Sequence, residues 1–446
     1  MKRNTTAAAA LAERPYVRWF SLVFGLFLGV ALVKFGNAVI MERYIERPTS
    51  SLEWAINTWP LGVGYWLLGA LAVFGIGAGR WRMQSAVWLV ALPLAWLLWQ
   101  FFAATRSVDP VLSASTLRHF TACVVCFYVG HFALTQTHPT WFFGGIIAGL
   151  AVVLAAGLEQ HFGGLEESRR YFFTYLYPQM HDVPPEYLKK IRSDRIWATL
   201  FYPNALAGVL LLLLPAALVT ILRNFTRLTI GARRFLAAAF AVGALACLYW
   251  SGSKGGWLLM LLLILVAVLH LTFSRRIKLA VIVSVVLLGL TGFALKYAGF
   301  FQRGATSVSA RFDYWHAAVQ TVAANPVLGT GPGTFAIPYA RIKRPESEMS
   351  RMVHNDYLEQ ASDSGIPGFV LYALFAGGLL IKTKPPKLSA ETALPFAVWL
   401  GLLGWLLQGL MEFGLYIPAL AWTGFALMGW LLAITRKQFD KPEPEK

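Results

Sequence analysis

Charge is what this sequence has least of. Only 14% of its 446 residues are Asp, Glu, Lys or Arg, where a soluble domain carries about 25%. The shortfall excludes an ordinary water-facing surface. Acidic residues are the scarcer sign, 22 against 39 basic, and no Asp-rich run offers oxygen ligands to a divalent metal. Cysteine is nearly absent as well. Cys123 and Cys126 share one apolar helix and Cys247 lies in another. That spacing gives neither a disulfide framework nor a zinc site, and all three read as packing residues. No small-residue cleavage site follows the first apolar run, which therefore reads as a retained helix rather than a removed signal peptide.

What is abundant is apolar length. Hydrophobic residues make up 57% of the chain, gathered into runs near the roughly 20 residues that a membrane crossing needs. Spans are expected at about 18–40, 60–79, 84–103, 117–135, 141–159, 197–222, 235–250, 255–273, 279–297, 366–382, 393–411 and 416–434. The expected fold is an all-α integral membrane protein of about twelve transmembrane helices. Residues 1–446 read as one polytopic domain, without a repeat of clear period.

The net charge of +17 would suggest nucleic acid on a soluble protein. Here it follows the tendency of Lys and Arg to collect in short cytoplasmic loops. Lys2, Arg3, Arg14 and Arg18 precede the first span, and Arg80 and Arg82 follow the second. Arg223, Arg227, Arg233 and Arg234 form the next basic connection, then Arg275, Arg276 and Lys278, then Lys382, Lys384 and Lys387. Arg436, Lys437, Lys441 and Lys446 lie in the tail. The alternation puts both termini in the cytoplasm and makes membrane lipid, not nucleic acid, the expected surrounding.

The opposite face receives two long connections, 160–196 and 297–365. In the second, Trp315, Ala318, Val319 and Val322 predict an amphipathic helix over Arg311–Ala324. Val327–Thr334, VLGTGPGT, reads as a turn, and Met352–Ala361 as a short helix ended near Gly365 and Pro367.

Four segments on that face could carry chemistry. Arg195, followed by Tyr202, Pro203 and Asn204, is suited to a diphosphate by its fixed donor fork or is an interfacial arginine. Ser251-Gly-Ser-Lys-Gly-Gly256 could cradle a phosphate with Lys254 and backbone N–H groups, or is a tight hairpin turn. Arg311, four residues before Trp315, could pair with an anion while the indole lies in the interface, or is a solvated loop charge. His354, in His354-Asn355-Asp356-Tyr357, is a suitable general base, with Asp356 or Glu359 able to orient it or replace it. Lys34 and Glu412 are charges within or beside spans, which usually face a cavity or bundle interior. Lys34 is close enough to an interface to snorkel, and Glu412 could line the outer site. Tyr171, Phe172, Phe173, Tyr175 and Tyr177 could stack on sugars or brace an isoprenoid chain. Arg195, Lys254, Arg311 and His354 all lie in connections expected on one face, a set that suits an anionic lipid donor and a hydroxyl acceptor.

At these segments the sequence resembles the O-antigen ligase/polymerase family. Arg195-Ile-Trp-Ala-Thr-Leu-Phe-Tyr-Pro-Asn204 is similar to the family's Arg…Pro-Asn element, with Ala198 and Leu200 as departures. Ser251-Gly-Ser-Lys-Gly255 stands where the family has Ser-x-Ser-Arg-Gly, with Lys254 in place of Arg. Arg311-x3-Trp315 precedes Pro326, Gly329, Gly331 and Gly333, and His354-Asn355 precedes Gly365-Ile-Pro-Gly368. The resemblance covers roughly 195–375, and the large outer loop between spans nine and ten looks most like the ligase branch. It implies a GT-C-like fold and a metal-independent, inverting glycosyltransferase without cofactor. The donor would be a glycan on undecaprenyl diphosphate and the acceptor a sugar hydroxyl of lipid A–core, at the periplasmic face of a bacterial inner membrane. His354, Arg311 and Arg195 would be catalytic. Lys254, Asn355, Trp315, Asn204 and Tyr357 would bind substrate. A polymerase or a protein O-oligosaccharyltransferase of the same family shares the donor and differs in acceptor. A lipid-linked glycan transporter is the reading from another class, and would want charges deep in several spans.

Overall fold

The computed structural model of the chain describes residues 14–79, 86–179, 188, 191–302, 306–385, 388–389 and 391–439. Lys2, Arg3, Arg80, Arg82, Lys387, Lys441 and Lys446, used above for orientation, lie outside them. Every described element is helix, turn or irregular chain. The long helices are α1 (Pro15–Lys34), α2 (Leu61–Ala78), α3 (Val87–Ala104), α4 (Pro110–Phe132), α5 (Thr140–Glu159), α6 (Pro203–Arg223), α7 (Ile230–Ser251), α8 (Lys254–His270), α9 (Arg275–Gln302), α10 (Thr306–Ala324), α11 (Asp356–Lys382), α12 (Ala393–Gln408) and α13 (Pro418–Phe439). Among the described residues, ten helices are long and apolar enough to cross a membrane, and α8 and α12 are shorter apolar helices. The chain is an all-α, multi-pass membrane bundle.

Association of helices in lipid rests on close packing, because lipid is as apolar as leucine. Two contacts show how the sequence meets that need. Gly25 and Gly29 of α1 face Gly145 and Gly149 of α5, each pair four residues apart. A Cβ on Gly25 would stand 2.1 Å from the Phe142 carbonyl oxygen, and one on Gly149 would stand 2.3 Å from Gly29 Cα. Across the bundle, a Cβ on Gly429 of α13 would lie 2.0 Å from the Phe127 carbonyl of α4. α13 is buried almost throughout and forms the centre, whereas little of α9 is buried, the position of a helix meeting lipid.

The departures from expectation cluster at one end. α6 begins at Pro203, not near 197, because residues 193–202 are held irregular. Gln160 clamps them, accepting from Trp197 N–H at 3.0 Å and Ala198 N–H at 2.8 Å while donating to Ala198 O at 2.9 Å. α11 begins at Asp356, ten residues before the expected span 366–382. It is broken at Ser364 and Gly365, the glycine at φ +71°, a conformation that other residues resist. The amphipathic helix expected over 311–324 is the C-terminal part of α10, but its buried face is Tyr314, Ala317, Ala318 and Thr321, and Val319 is exposed. That face packs on Phe335, Tyr339 and Val353. Lys34, at the end of α1, is buried, and its Nζ donates to Ala55 O at 2.5 Å and Asn57 O at 3.0 Å, pinning the 51–60 connection. The three cysteines are free and buried, as packing residues should be.

Candidate functional site

α6, α10, α11 and the 409–417 link between α12 and α13 meet at the end of the bundle where α7 turns into α8. The turn is the tight hairpin expected at Ser251–Gly256. Gly252 closes α7 at φ +61°, and the Ser253 hydroxyl caps α8 by accepting from Gly256 N–H at 3.3 Å. The backbone N–H groups of Gly252, Ser253 and Gly256 serve these caps, so a phosphate cradle of those amides is not what the turn offers. What it offers is position. Arg195 lies against Gly252 and donates from Nε to Ser251 O at 2.7 Å.

From Arg195 a chain of polar contacts crosses four segments. Its Nη2 donates to Asn204 Oδ1 at 2.9 Å, and Asn204 Nδ2 donates to Glu412 Oε1 at 2.6 Å. Arg311 Nη2 pairs with the same Glu412 oxygen, and Arg311 Nε donates to Met411 O at 3.1 Å. The other carboxylate oxygen, Oε2, stands 3.3 Å from His354 Nδ1. Arg195 and Asn204, Arg311, and His354, from three segments of the sequence, are thus joined through Glu412. Burial alone would raise the Glu412 carboxyl, but the His354 hydrogen bond and the Arg311 charge outweigh it and hold the group below the usual carboxylate range. Burial lowers the Arg195 guanidinium from its ordinary value against the pull of Glu412.

His354 is itself held in place. Its backbone is left-handed, φ +55°, which costs a non-glycine residue of order 1–3 kcal/mol. The acids around it supply the restraint. Glu359 accepts from Val353 N–H at 2.6 Å, and Asn355 accepts from Tyr357 and Leu358 N–H at 3.0 Å as the N-cap of α11. Asp356 donates its N–H to Gly409 O at 2.7 Å and accepts from Leu415 N–H through both oxygens, at 3.2 and 3.1 Å, fixing the link that carries Glu412. Asp356 and Glu359 are therefore committed to backbone, and Glu412 is the carboxylate that faces the imidazole. The ring lies between Tyr314, centroids 5.7 Å apart and stacked, and Phe413, at 4.8 Å and edge-on.

Two lysines complete the cationic wall. Lys254 Nζ stands over Phe300 at 3.8 Å and Tyr297 at 5.1 Å, and Lys296 Nζ over Tyr249 at 3.0 Å. Neither ammonium has an acidic partner among the described residues. Lys296 and Tyr297 escaped the sequence reading, although a lone lysine inside predicted span 279–297 was the signal that could have found them. Of the expected substrate contacts, Asn204 joins the cluster and Lys254 flanks it. Asn355 and Tyr357 do not: Asn355 is a helix cap, and the Tyr357 hydroxyl donates to Leu406 O at 3.2 Å, bracing α11 on α12. Trp315 packs beside the Tyr314–Tyr339 cluster, with its Nε1 buried and unpartnered among the described residues. In the 171–177 aromatic run, Tyr171 and Tyr175 are exposed with centroids 5.2 Å apart, and no described hydrogen bond joins them to Glu412.

A comparison with curated proteins finds no match. Residues 239–373 match the family model described as O-Antigen ligase, a stretch holding Lys254, Lys296, Arg311 and His354 but neither Arg195 nor Glu412, and over it the chain is similar to that family.

Proposed function

We propose that the chain is an O-antigen ligase-like glycosyltransferase, moving a glycan from undecaprenyl diphosphate to a sugar hydroxyl of lipid A–core at the periplasmic face of a bacterial inner membrane. The observation that carries this reading is the sharing of one carboxylate, Glu412, by His354 and Arg311 beside three further cations. With Nδ1–H donating to Glu412, His354 presents the lone pair of Nε2. That nitrogen takes the proton of the acceptor hydroxyl as its oxygen attacks the anomeric carbon. The bond from that carbon to the diphosphate oxygen breaks on the opposite side of the ring, inverting the centre. The diphosphate leaves with the bonding pair, and Arg195, Arg311, Lys254 and Lys296 balance the growing negative charge. A diphosphate needs no acid to leave. Glu412 fixes the imidazole tautomer and stabilises the imidazolium, as a buried carboxylate does beside a catalytic histidine.

The test is a chromosomal His354→Ala variant, with membrane insertion checked by immunoblot and surface glycans by gel. Transfer should be abolished with the protein level unchanged. Wild-type glycan on that background would sink the base assignment. A null strain identifies the acceptor: bare lipid A–core with long lipid-linked chains means ligase, single repeats on core mean polymerase, and normal glycolipid with unmodified proteins means a protein-directed enzyme.

A further inference from the structure

A cavity of about 660 Å³ opens on the same end of the bundle, away from the Glu412 cluster. Its size lies within the roughly 300–1,000 Å³ of small-molecule sites. The lining combines Arg106 and Arg341 with Asn325, Thr330, Val108 and Ile337. Both arginines are exposed, and no ion pair among the described residues involves either.

The wall is rigid and is tied to the site. Thr330 N–H donates to Ser362 O at 3.0 Å, Gly331 N–H to Asp363 O at 2.8 Å, Ile366 N–H to Pro326 O at 2.8 Å and Val108 N–H to Thr330 O at 2.9 Å. Gly329 is at φ +65°, and a Cβ there would stand 2.4 Å from the Asp363 carbonyl carbon, so the turn of the VLGTGPGT motif has no freedom to collapse into the space. These bonds join the cavity wall to the stretch of α11 that begins beside His354. The facing wall is the short helix Ala336–Ile342. Its Tyr339 ring lies 5.4 Å from Tyr314, which stacks on His354 at 5.7 Å. The helix that lines the cavity with Ile337, Pro338, Arg341 and Ile342 therefore also carries the ring that packs toward the imidazole.

We propose that this cavity is a subsite for an anionic sugar unit, one carrying a carboxylate or a phosphate, in the glycan whose reacting end lies at His354. The proposal rests on the glycan-transfer reading for its role, though not for its binding. Aliphatic walls suit the C–H faces of a pyranose, Asn325 and Thr330 suit its hydroxyls, and two unpaired guanidinium forks suit a carboxylate or phosphate in bidentate geometry. None of Arg195, Asn204, Arg311, His354 or Glu412 lines the cavity, which assigns it to a sugar beyond the reacting one.

The experiment uses the full chain in zwitterionic nanodiscs, with galacturonic acid, glucose 6-phosphate and glucose as probes in saturation-transfer NMR titrations. The charged sugars should bind at least about tenfold more tightly than glucose, and Arg106→Ala/Arg341→Ala should erase that preference. Arg106→Lys/Arg341→Lys should keep part of it, which separates lost charge from lost fold. Equal binding of glucose, no binding of any probe, or an unchanged preference in the double alanine variant would overturn the subsite. So would loss of the charged-sugar signal in a second preparation whose discs contain anionic phospholipid, which would make this a lipid-headgroup site. His354→Ala should bind the probes like the wild type. If that variant still transfers glycan, the catalytic reading fails while the binding result stands.

Discussion

The cations of the candidate site fall into two groups with opposite surroundings. Arg195 and Arg311 are bound into a network that ends on a buried carboxylate, through Asn204 and directly. Lys254 and Lys296 face aromatic rings and have no acid among the described residues. A buried charge is tolerated only when paired or hydrogen-bonded, and the first group meets that condition within the protein. The second meets it partly, through ring faces worth about 0.5–2 kcal/mol and, for Lys296, a hydrogen bond donated to the Tyr249 carbonyl. The arginines are thus pre-positioned, whereas the lysines are where an incoming anion gains most. The arginine of a fixed fork and the lysine of a mobile point charge suit these two duties.

The sharpest way to break this comparison is to remove its shared carboxylate. Glu412→Gln leaves His354 without its anionic partner and Arg311 without its counter-charge. The rate of transfer should fall about 10²–10⁴-fold, the range of general-base catalysis, and thermal stability in detergent should fall by about 3–5 kcal/mol, as when one partner of a buried ion pair is lost. A variant with the kcat of the wild type would separate Glu412 from the chemistry.

Arg311→Lys tests the fork. A point charge cannot reach both the Glu412 oxygen and the Met411 carbonyl, and kcat should fall about 10²-fold, the effect of removing one transition-state donor. Lys254→Ala sharpens the other half. It should raise KM for the diphosphate donor about tenfold, a cost near 1.4 kcal/mol, with a smaller change in kcat, while Lys254→Arg should restore KM. A kcat effect equal to that of Arg311→Lys would erase the distinction between the two groups. The smallest effect is expected at Asn355→Ala, which removes the α11 cap and should cost about 1 kcal/mol of stability, read as a lowered unfolding midpoint.

Much of the site was legible before the structure because the topology is one-dimensional. The sides expected from the basic loops put Arg195, Lys254, Arg311 and His354 together without knowledge of packing. Arg311 and His354 then meet on Glu412, a residue the sequence marked only as a charge beside a span. What could not be read was the division of labour among the acids. By sequence distance Asp356 and Glu359 are the nearer partners for His354, and Glu412, 58 residues away, reads only as a charge that could line the site. Which of them turns to the ring depends on the left-handed backbone of His354 before α11 and on the path of residues 409–417. The Val319 error has a similar origin: periodicity gives a helix an apolar face, but the neighbour it packs on selects which flank is buried.

The sequence by itself determined the solvent of this protein. Apolar length is a property of the chain that no tertiary arrangement alters, so the membrane bundle followed from it. Only the tertiary structure decided which polar groups touch. Hydrogen bonds act over about 3 Å, and the residues that meet at Glu412 are brought within that range by glycine-tight packing and by breaks in otherwise regular helices. Those short distances are absent from the linear order of the chain.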